Sequence, residues 1–115
     1  MIQELIKKIE DSYYWDARVK SLNCSYFGDE VTLIFEDDKK DITYNFEGCY
    51  KVKIEHAFEY PKDRASKDLD FTQIPYFMQD VELKEIEILD KKYMEFKINL
   101  YPISLLIVCN KFYIC

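Results

Sequence analysis

The longest regular alternation of apolar and polar residues in the chain covers residues 41–59. Its apolar members all fall at even positions: Ile42, Tyr44, Phe46, Tyr50, Val52, Ile54 and Phe58. Polar residues lie between them, and only Gly48 and His56 interrupt the apolar face. Because successive side chains of a β-strand point to opposite faces of a sheet, this period of two predicts a half-buried strand with one face in the core.

Gly48 decides how this stretch folds. A two-residue hairpin loop at Glu47 and Gly48 would place Lys51 and Lys53 on the buried face and expose the apolar residues between them. Burial of each large apolar side chain is worth roughly 1.5–3 kcal/mol, so this register is excluded. A three-residue loop over 47–49 or one long strand bent at Gly48 would keep the alternation in phase. The long strand is favoured, because Glu-Gly-Cys lacks the Asn, Asp or Pro that usually starts a turn.

The whole pattern predicts an α+β, mainly β fold: an antiparallel sheet of about six or seven strands, strongly bent, with a short N-terminal helix. Apolar residues three and four apart indicate the helix, at Ile2, Leu5, Ile6 and Ile9. Besides 41–59, strands are predicted at 17–26, 31–36, 81–89, around 94–98, and at 103–114. Their inward residues are Leu22, Cys24 and Tyr26 in the first, Val31, Leu33 and Phe35 in the second, and Met94, Phe96 and Ile98 in the strand around 94–98.

Two of these strands have unusual patterns. Residues 81–89 change face between Leu83 and Ile86, which predicts a bulge near Lys84 and Glu85 or a break into two short pieces. Residues 105–109 are apolar at every position, so the last strand should lie in the centre of the sheet or beneath the N-terminal helix.

Composition and charge narrow the class of protein. The chain has 115 residues, which predicts a single domain over residues 1–115. Its formal net charge of -6 argues against nucleic acid or an anionic membrane as a direct partner and favours a basic one. The chain lacks the apolar run of about 18 residues that a membrane span needs, and it lacks a secretory leader, so we expect a cytoplasmic protein.

The four cysteines are far apart and never spaced as Cys-x-x-Cys, which predicts free thiols. Cys24 and Cys109 are expected in the core, and Cys115 has no evident role.

Candidate catalytic and metal sites are weakly supported. His56 is the only histidine, and it falls on the apolar side of its strand, away from Glu55 and Glu59, which favours a structural role. A zinc site needs three or four Cys or His ligands at suitable spacing, and the acidic stretch from Asp68 to Asp70 lacks a calcium-loop pattern. We therefore predict no enzyme, no metal and no cofactor.

The predicted loops and strand ends carry residues that are suited to protein binding. Acidic residues cluster at predicted loops and aromatic residues flank the strand ends, and such groups commonly form protein interfaces. The predicted partner-binding residues are Tyr14, Trp15, Asp37, Asp38, Tyr60, Asp63, Asp68 and Asp70.

The order of several segments resembles the small bacterial immunity-type proteins of polymorphic toxin and contact-dependent inhibition systems. These segments are Trp15-Asp16-Ala17-Arg18-Val19, Val31 to Phe35, Ile42 to Phe46 with Gly48-Cys49, and Ser104 to Val108. The resemblance covers residues from about 15 to the C-terminus. It implies an antiparallel, mainly β domain that neutralises a cognate toxin by binding it, without catalysis.

The leading hypothesis is therefore a toxin-neutralising protein whose acidic loops cover a basic toxin domain, which the charge suggests is a nuclease. Two alternatives stay open at this point: a small enzyme using His56, and a structural or adaptor subunit.

Overall fold

The protein is described by a computed structural model that covers residues 2–36, 40–58 and 76–115. Its elements are the helix α1 (Ile2–Asp11) and the strands β1 (Val19–Ser25), β2 (Glu30–Glu36), β3 (Asp41–His56), β4 (Asp80–Ile88), β5 (Lys91–Leu100) and β6 (Ile103–Ile114). The strands form one antiparallel sheet in the order β1-β2-β3-β6-β5-β4, which is open and curled. The predicted fold class is confirmed, with six strands in the described part of the chain.

The long central strand passes straight through Gly48, as the favoured arrangement predicts. β3 pairs with β6 from Tyr44 to His56, and the register shifts between Cys49 and Lys51. This shift makes Tyr50 the extra residue of a β-bulge, a feature that bends a strand and increases its twist. The three-residue hairpin loop is therefore wrong, and the bend lies at Gly48 and the two residues that follow.

Gly48 is required here for two reasons. Its φ of 61° is in the left-handed region, where a side chain is strained. A Cβ atom at this position would also overlap the side-chain amide of Asn110, lying only 2.7 Å from its Cγ.

Replacing Gly48 by alanine should therefore lower the free energy of unfolding by about 2–4 kcal/mol, from backbone strain and the overlap together, measured by urea denaturation. In an Asn110→Ala background the overlap is absent, and the same replacement should cost only about 1 kcal/mol, the strain of the left-handed backbone. Equal losses in the two backgrounds would show that the contact with Asn110 does not matter.

The core lies on one side of the curled sheet and is rich in aromatic rings. The inward residues predicted for β2 are confirmed, since Val31, Leu33 and Phe35 are buried, and so are those of β5, where Phe96 and Ile98 are buried and Met94 packs against them. The central position predicted for β6 is also confirmed. Four rings meet in the middle of this core, with centroid distances of 4.6–6.5 Å: Tyr44, Phe46, Phe96 and Phe112.

The predicted N-terminal helix is confirmed and is fixed to this core at its end. Ile9 is buried among the sheet residues, and Leu5 packs against the same cluster. Beyond the helix, the Ser12 Oγ lies 2.7 Å from the Tyr44 hydroxyl oxygen, within hydrogen-bond distance. Burial raises the pKa of Tyr44 to about 12, so its hydroxyl keeps its proton over the physiological range.

The second half of β3 differs from the prediction. Ile42, Tyr44 and Phe46 are buried as expected, but Tyr50 and Ile54 are 67% and 40% exposed, and Phe58 lies beyond the strand, fully exposed. The reason is that β2 accompanies β3 only as far as Glu47, so that the remainder of β3 pairs with β6 alone. In this half of β3, Cys49 and Val52 pack against the core.

Two predictions for the other strands are also wrong. In β1, Val19 is buried, but Cys24 and Tyr26 are exposed, because the far end of this outer strand extends past the core and leads into a short 3-10 turn, Tyr26–Gly28. In β4 the register with β5 is unbroken, so the bulge near Lys84 and Glu85 does not exist.

The change of face in β4 has a simpler cause. Val81 and Leu83 pack against the core, whereas Ile88 is exposed on this edge strand, where burial does not constrain the pattern.

The four thiols differ in exposure, which predicts how they react. Cys109 is buried as expected, whereas Cys24 is exposed, as is Cys115, and Cys49 is half-buried. Burial raises the pKa of Cys109 to about 12 and that of Cys49 to about 11.

At pH 8 an ordinary thiol with a pKa near 8.5 is about a quarter ionised, but a thiol with the pKa of Cys109 is ionised in only about one molecule in ten thousand. With Ellman's reagent, Cys24 and Cys115 should react fast because both are exposed, Cys49 slowly, and Cys109 only after denaturation. Fast reaction of all four thiols in the native protein would contradict this order.

Candidate protein-binding surface

Of the eight predicted partner-binding residues, the structure describes two that are adjacent in sequence. Tyr14 and Trp15 lie between α1 and β1. The other six fall outside the described residues: Asp37, Asp38, Tyr60, Asp63, Asp68 and Asp70. Their role in binding stays a prediction.

Tyr14 and Trp15 are held in a stacked pair but occupy different environments. Tyr14 is only 4% exposed, and its hydroxyl accepts a hydrogen bond from the backbone N–H of Val81 at 3.3 Å. Burial raises the pKa of this hydroxyl, and the hydrogen bond from Val81 offsets part of that effect. The Trp15 ring lies against Tyr14 with a centroid distance of 4.3 Å and is 50% exposed. Tyr14 thus anchors the pair, and Trp15 is the member that a partner can reach.

Trp15 belongs to a small groove at one end of the β1–β2 hairpin, which we call the Trp15 surface and define by Tyr13, Trp15, Arg18, Glu36 and Phe77. The Arg18 guanidinium carbon lies 5.1 Å from the centre of the Phe77 ring, and the Arg18 Nε lies 3.9 Å from a carboxylate oxygen of Glu36. Exposed aromatic rings beside an arginine and a carboxylate are common in protein interfaces.

The backbone around Trp15 is held in place by short hydrogen bonds. The N–H of Asp16 donates to the carbonyl of Met78 at 2.7 Å, and the N–H of Met78 donates to the carbonyl of Ala17 at the same distance. Tyr13 and Asp16 have φ values of 50° and 61°, so both neighbours of the Tyr14–Trp15 pair are in the left-handed region. The surface is therefore preorganised, which lowers the entropy cost of binding.

One residue of the Trp15 surface, Glu36, directly precedes two of the predicted partner-binding residues in the sequence. Glu36 ends β2, and its N–H donates to the carbonyl of Arg18 at 2.9 Å. Asp37 and Asp38 come directly after Glu36 in the sequence.

Sequence reasoning missed a second aromatic site, which we call the aromatic tip and define by Tyr26 and Phe27. Both have positive φ values, 54° and 62°, and both side chains are exposed, that of Phe27 completely. The left-handed region costs a non-glycine residue roughly 1–2 kcal/mol, so the fold bears strain while exposing two rings. Because Ser25 pairs with Glu30 and Val19 with Phe35, the tip and the Trp15 surface lie at opposite ends of the β1–β2 hairpin.

The tip carried one signal in the sequence. Phe27-Gly28-Asp29 places one aromatic residue in a turn that Gly28 marks, where burial is not expected, although Tyr26 was predicted to face the core. Gly28 has a positive φ, 90°, which glycine adopts readily, but no sequence pattern reveals positive φ values at a tyrosine and a phenylalanine.

His56 lies at the end of β3, as predicted, and is half-buried. Its ring meets the edge of Tyr76 at a centroid distance of 6.2 Å. The Glu55 carboxylate lies 3.5 Å from the ammonium of Lys53, a neighbour on its own side of the strand. This environment is that of a packed end-of-strand residue.

Within residues 2–36, 40–58 and 76–115, no group of three or more His, Cys, Asp or Glu side chains is arranged to hold a metal ion. In the same part of the chain, no helix has the length and apolar character to cross a membrane.

Comparison with known proteins gives one family and one fold. The model of a protein family described as "Immunity protein PIM7" matches residues 1–115. The chain is also similar to the crystal structure of an uncharacterized protein from Neisseria gonorrhoeae, with a TM-score of 0.63 and 16% sequence identity, over 88% of this chain and 91% of that chain. At this identity the likeness shows the fold alone. No curated protein matches the sequence.

Proposed function

The chain belongs to the PIM7 family of immunity proteins, which points to toxin neutralisation, and we propose that it acts by binding and blocking a basic, nucleic-acid-cleaving toxin domain in the cytoplasm, with no catalysis of its own. The family match over the full length carries this proposal. The net charge of -6 supports a basic partner, because a nuclease domain that binds a phosphate backbone is itself attracted to an acidic surface.

We place the toxin contact at the Trp15 surface and at the acidic residues predicted to bind the partner. Trp15 offers a half-exposed ring on a preorganised backbone, and tryptophan, tyrosine and arginine are enriched among the residues that dominate binding energy. Asp37, Asp38, Asp63, Asp68 and Asp70 would add negative charge that attracts a basic toxin, and Tyr60 a further aromatic contact.

The direct test is binding to the product of the adjacent gene. The two proteins should copurify when expressed together, and the purified chain should inhibit cleavage of DNA or RNA by that product at a one-to-one molar ratio. Inhibition of an activity other than nucleic-acid cleavage would keep the immunity role and overturn the nuclease assignment. Absence of both binding and inhibition would overturn the proposal.

Charge steering makes a separate prediction about the rate of association. Neutralising the two acids that follow Glu36 in the sequence, Asp37→Asn with Asp38→Asn, should lower the association rate constant several-fold at low salt and leave the dissociation rate nearly unchanged. Raising the salt should reduce this difference, because the Debye length shrinks to about 8 Å at 0.15 M. Stopped-flow mixing with the toxin measures both rates.

The matched control removes the same charge from the edge strand β4, through Glu82→Gln with Glu87→Gln, two exposed carboxylates. This control should change the association rate less than the Asp37 and Asp38 variant does. An equal effect of the two variants would mean that only total charge matters, and no effect of either would rule out steering.

A further inference from the structure

The second half of β3 is an unpartnered strand edge inside the described part of the chain. β2 stops pairing at Glu47, and the last contact on this side is a hydrogen bond from the N–H of Cys49 to the carbonyl of Asp29, at 3.0 Å. From Lys51 onward, the only described strand beside β3 is β6. An exposed edge of this kind is a template for pairing with another strand.

The ladder with β6 determines which backbone groups face outward. The N–H of Ala57 donates to the carbonyl of Pro102 at 2.9 Å, so this position is bonded toward β6. Bonded and non-bonded pairs alternate along an antiparallel ladder, and the register from Lys51 to His56 is regular. The N–H and C=O groups of Val52 and Ile54 therefore point away from β6, toward the open edge.

The side chains along this edge are also unusual for a solvent-facing edge. Tyr50 and Ile54 are exposed, and an open groove of about 870 Å³ runs beside them, with Phe27 of the aromatic tip among its lining residues. The groove thus combines outward backbone groups with exposed apolar and aromatic side chains, a combination suited to an added strand.

The sequence of the edge is complementary to itself. If a second copy of the strand is placed antiparallel with the twofold axis at Ile54, each Lys53 comes opposite a Glu55 of the other copy. The two Ile54 residues then face each other as a hydrogen-bonded pair, which matches the outward direction of their backbone groups. A register one residue earlier would instead put the two Lys53 side chains directly opposite each other, which is unfavourable.

From this self-complementary register we propose that two copies of the chain associate through their β3 edges, as an antiparallel strand pair centred on Ile54. The sheets of the two copies then become continuous, and the partner strand occupies the groove beside Phe27. The Trp15 surface lies at the other end of the β1–β2 hairpin, so both copies keep it accessible. The dimer is independent of the toxin assignment and is tested with the chain alone.

Sedimentation velocity of the purified chain from 5 to 200 µM should show a monomer–dimer equilibrium. Lys53→Glu places a carboxylate opposite Glu55 of the other copy on each side of the twofold axis and should weaken the dimer at least ten-fold. Glu55→Lys places two ammonium groups opposite each other in the same way and should weaken it equally. The double variant Lys53→Glu with Glu55→Lys restores opposite charges in this register and should regain the wild-type dimer. Because Lys53 and Glu55 are exposed, each variant should still fold, as circular dichroism will check.

A second measurement reads the register directly. In a background with Cys24→Ser and Cys115→Ser, Ile54→Cys should give an oxidised dimer, because the Cα atoms of a hydrogen-bonded pair are about 5.5 Å apart, within the range that a disulfide spans. Lys53→Cys should crosslink far less, since its opposite residue is Glu55.

Three outcomes would overturn the proposal. They are a chain that stays monomeric to 200 µM, a dimer that tolerates both single charge reversals, and a dimer that the double variant does not restore. If the chain stays monomeric alone and a toxin segment instead pairs with the β3 edge, the dimer proposal is likewise overturned.

Discussion

Replacing Phe46 by alanine should lower the free energy of unfolding by about 3–5 kcal/mol, the usual cost of removing a fully buried phenylalanine. Phe46 lies at the centre of the aromatic core, with ring centroids of Phe96 at 4.9 Å and Phe112 at 5.0 Å. It also faces Phe112 across the two central strands, so its loss opens a cavity where β3, β5 and β6 meet. Equilibrium unfolding in urea, followed by circular dichroism, measures the change.

Phe27→Ala is the matched control for this prediction, since it removes the same side chain from a fully exposed position. It should change the free energy of unfolding by no more than about 0.5 kcal/mol when both variants are measured at the same low protein concentration. A loss below about 1.5 kcal/mol for Phe46→Ala, or similar losses for the two variants, would mean that the aromatic cluster does not carry the stability of the sheet.

The burial of Phe46 could be predicted from the sequence alone. From Ile42 to Phe46 apolar residues alternate strictly with polar ones, and from Val31 to Phe35 only Ile34 departs from that pattern; the structure buries the odd-numbered residues of the second segment and the even-numbered residues of the first. These two strands are neighbours in the sheet and lie over the core along the shared segment. Alternation predicts burial well where a strand has a partner on each side and a core beneath one face.

Alternation predicted burial wrongly farther along β3, where the period of two continues but the neighbouring strand β2 has ended. Tyr50 and Ile54 have the right parity for the core, yet they are exposed, because β2 has ended and a bulge has shifted the register. A sequence pattern tells which side of a strand a residue faces, but not how far the neighbouring strand extends. The exposure of Cys24, near the end of β1, and of Tyr26, in the turn that follows it, was mispredicted for the same reason.

The sequence predicted the type of residue at the candidate surface, but only part of its location. An aromatic cluster between a helix and a strand pointed to Trp15, which is half-exposed. That Tyr14 is the buried anchor of this pair depends on its hydrogen bond to Val81, a residue 67 positions away, and such a contact leaves no trace in local sequence. The aromatic tip was missed because its exposure follows from backbone angles that tyrosine and phenylalanine seldom adopt.

Trp15→Ala should reduce the affinity for the cognate toxin about 30-fold or more, which corresponds to about 2 kcal/mol, the threshold usually taken for a dominant interface residue. The expected effect lies mainly in the dissociation rate, because the ring makes short-range contacts and carries no charge. Titration calorimetry measures the affinity, and thermal unfolding verifies the fold, since the loss of stacking on Tyr14 should cost only about 0.5–1.5 kcal/mol.

The control for Trp15→Ala is Tyr26→Ala, which removes an exposed aromatic ring from the opposite end of the same hairpin. If the toxin binds at the Trp15 surface, this control should change the affinity by less than about two-fold, within the range expected outside a binding site. The reverse result, with Tyr26 essential and Trp15 dispensable, would move the toxin contact to the aromatic tip. The backbone strain at Tyr26 and Phe27 would then serve toxin binding, and the Trp15 surface would lie outside the toxin interface.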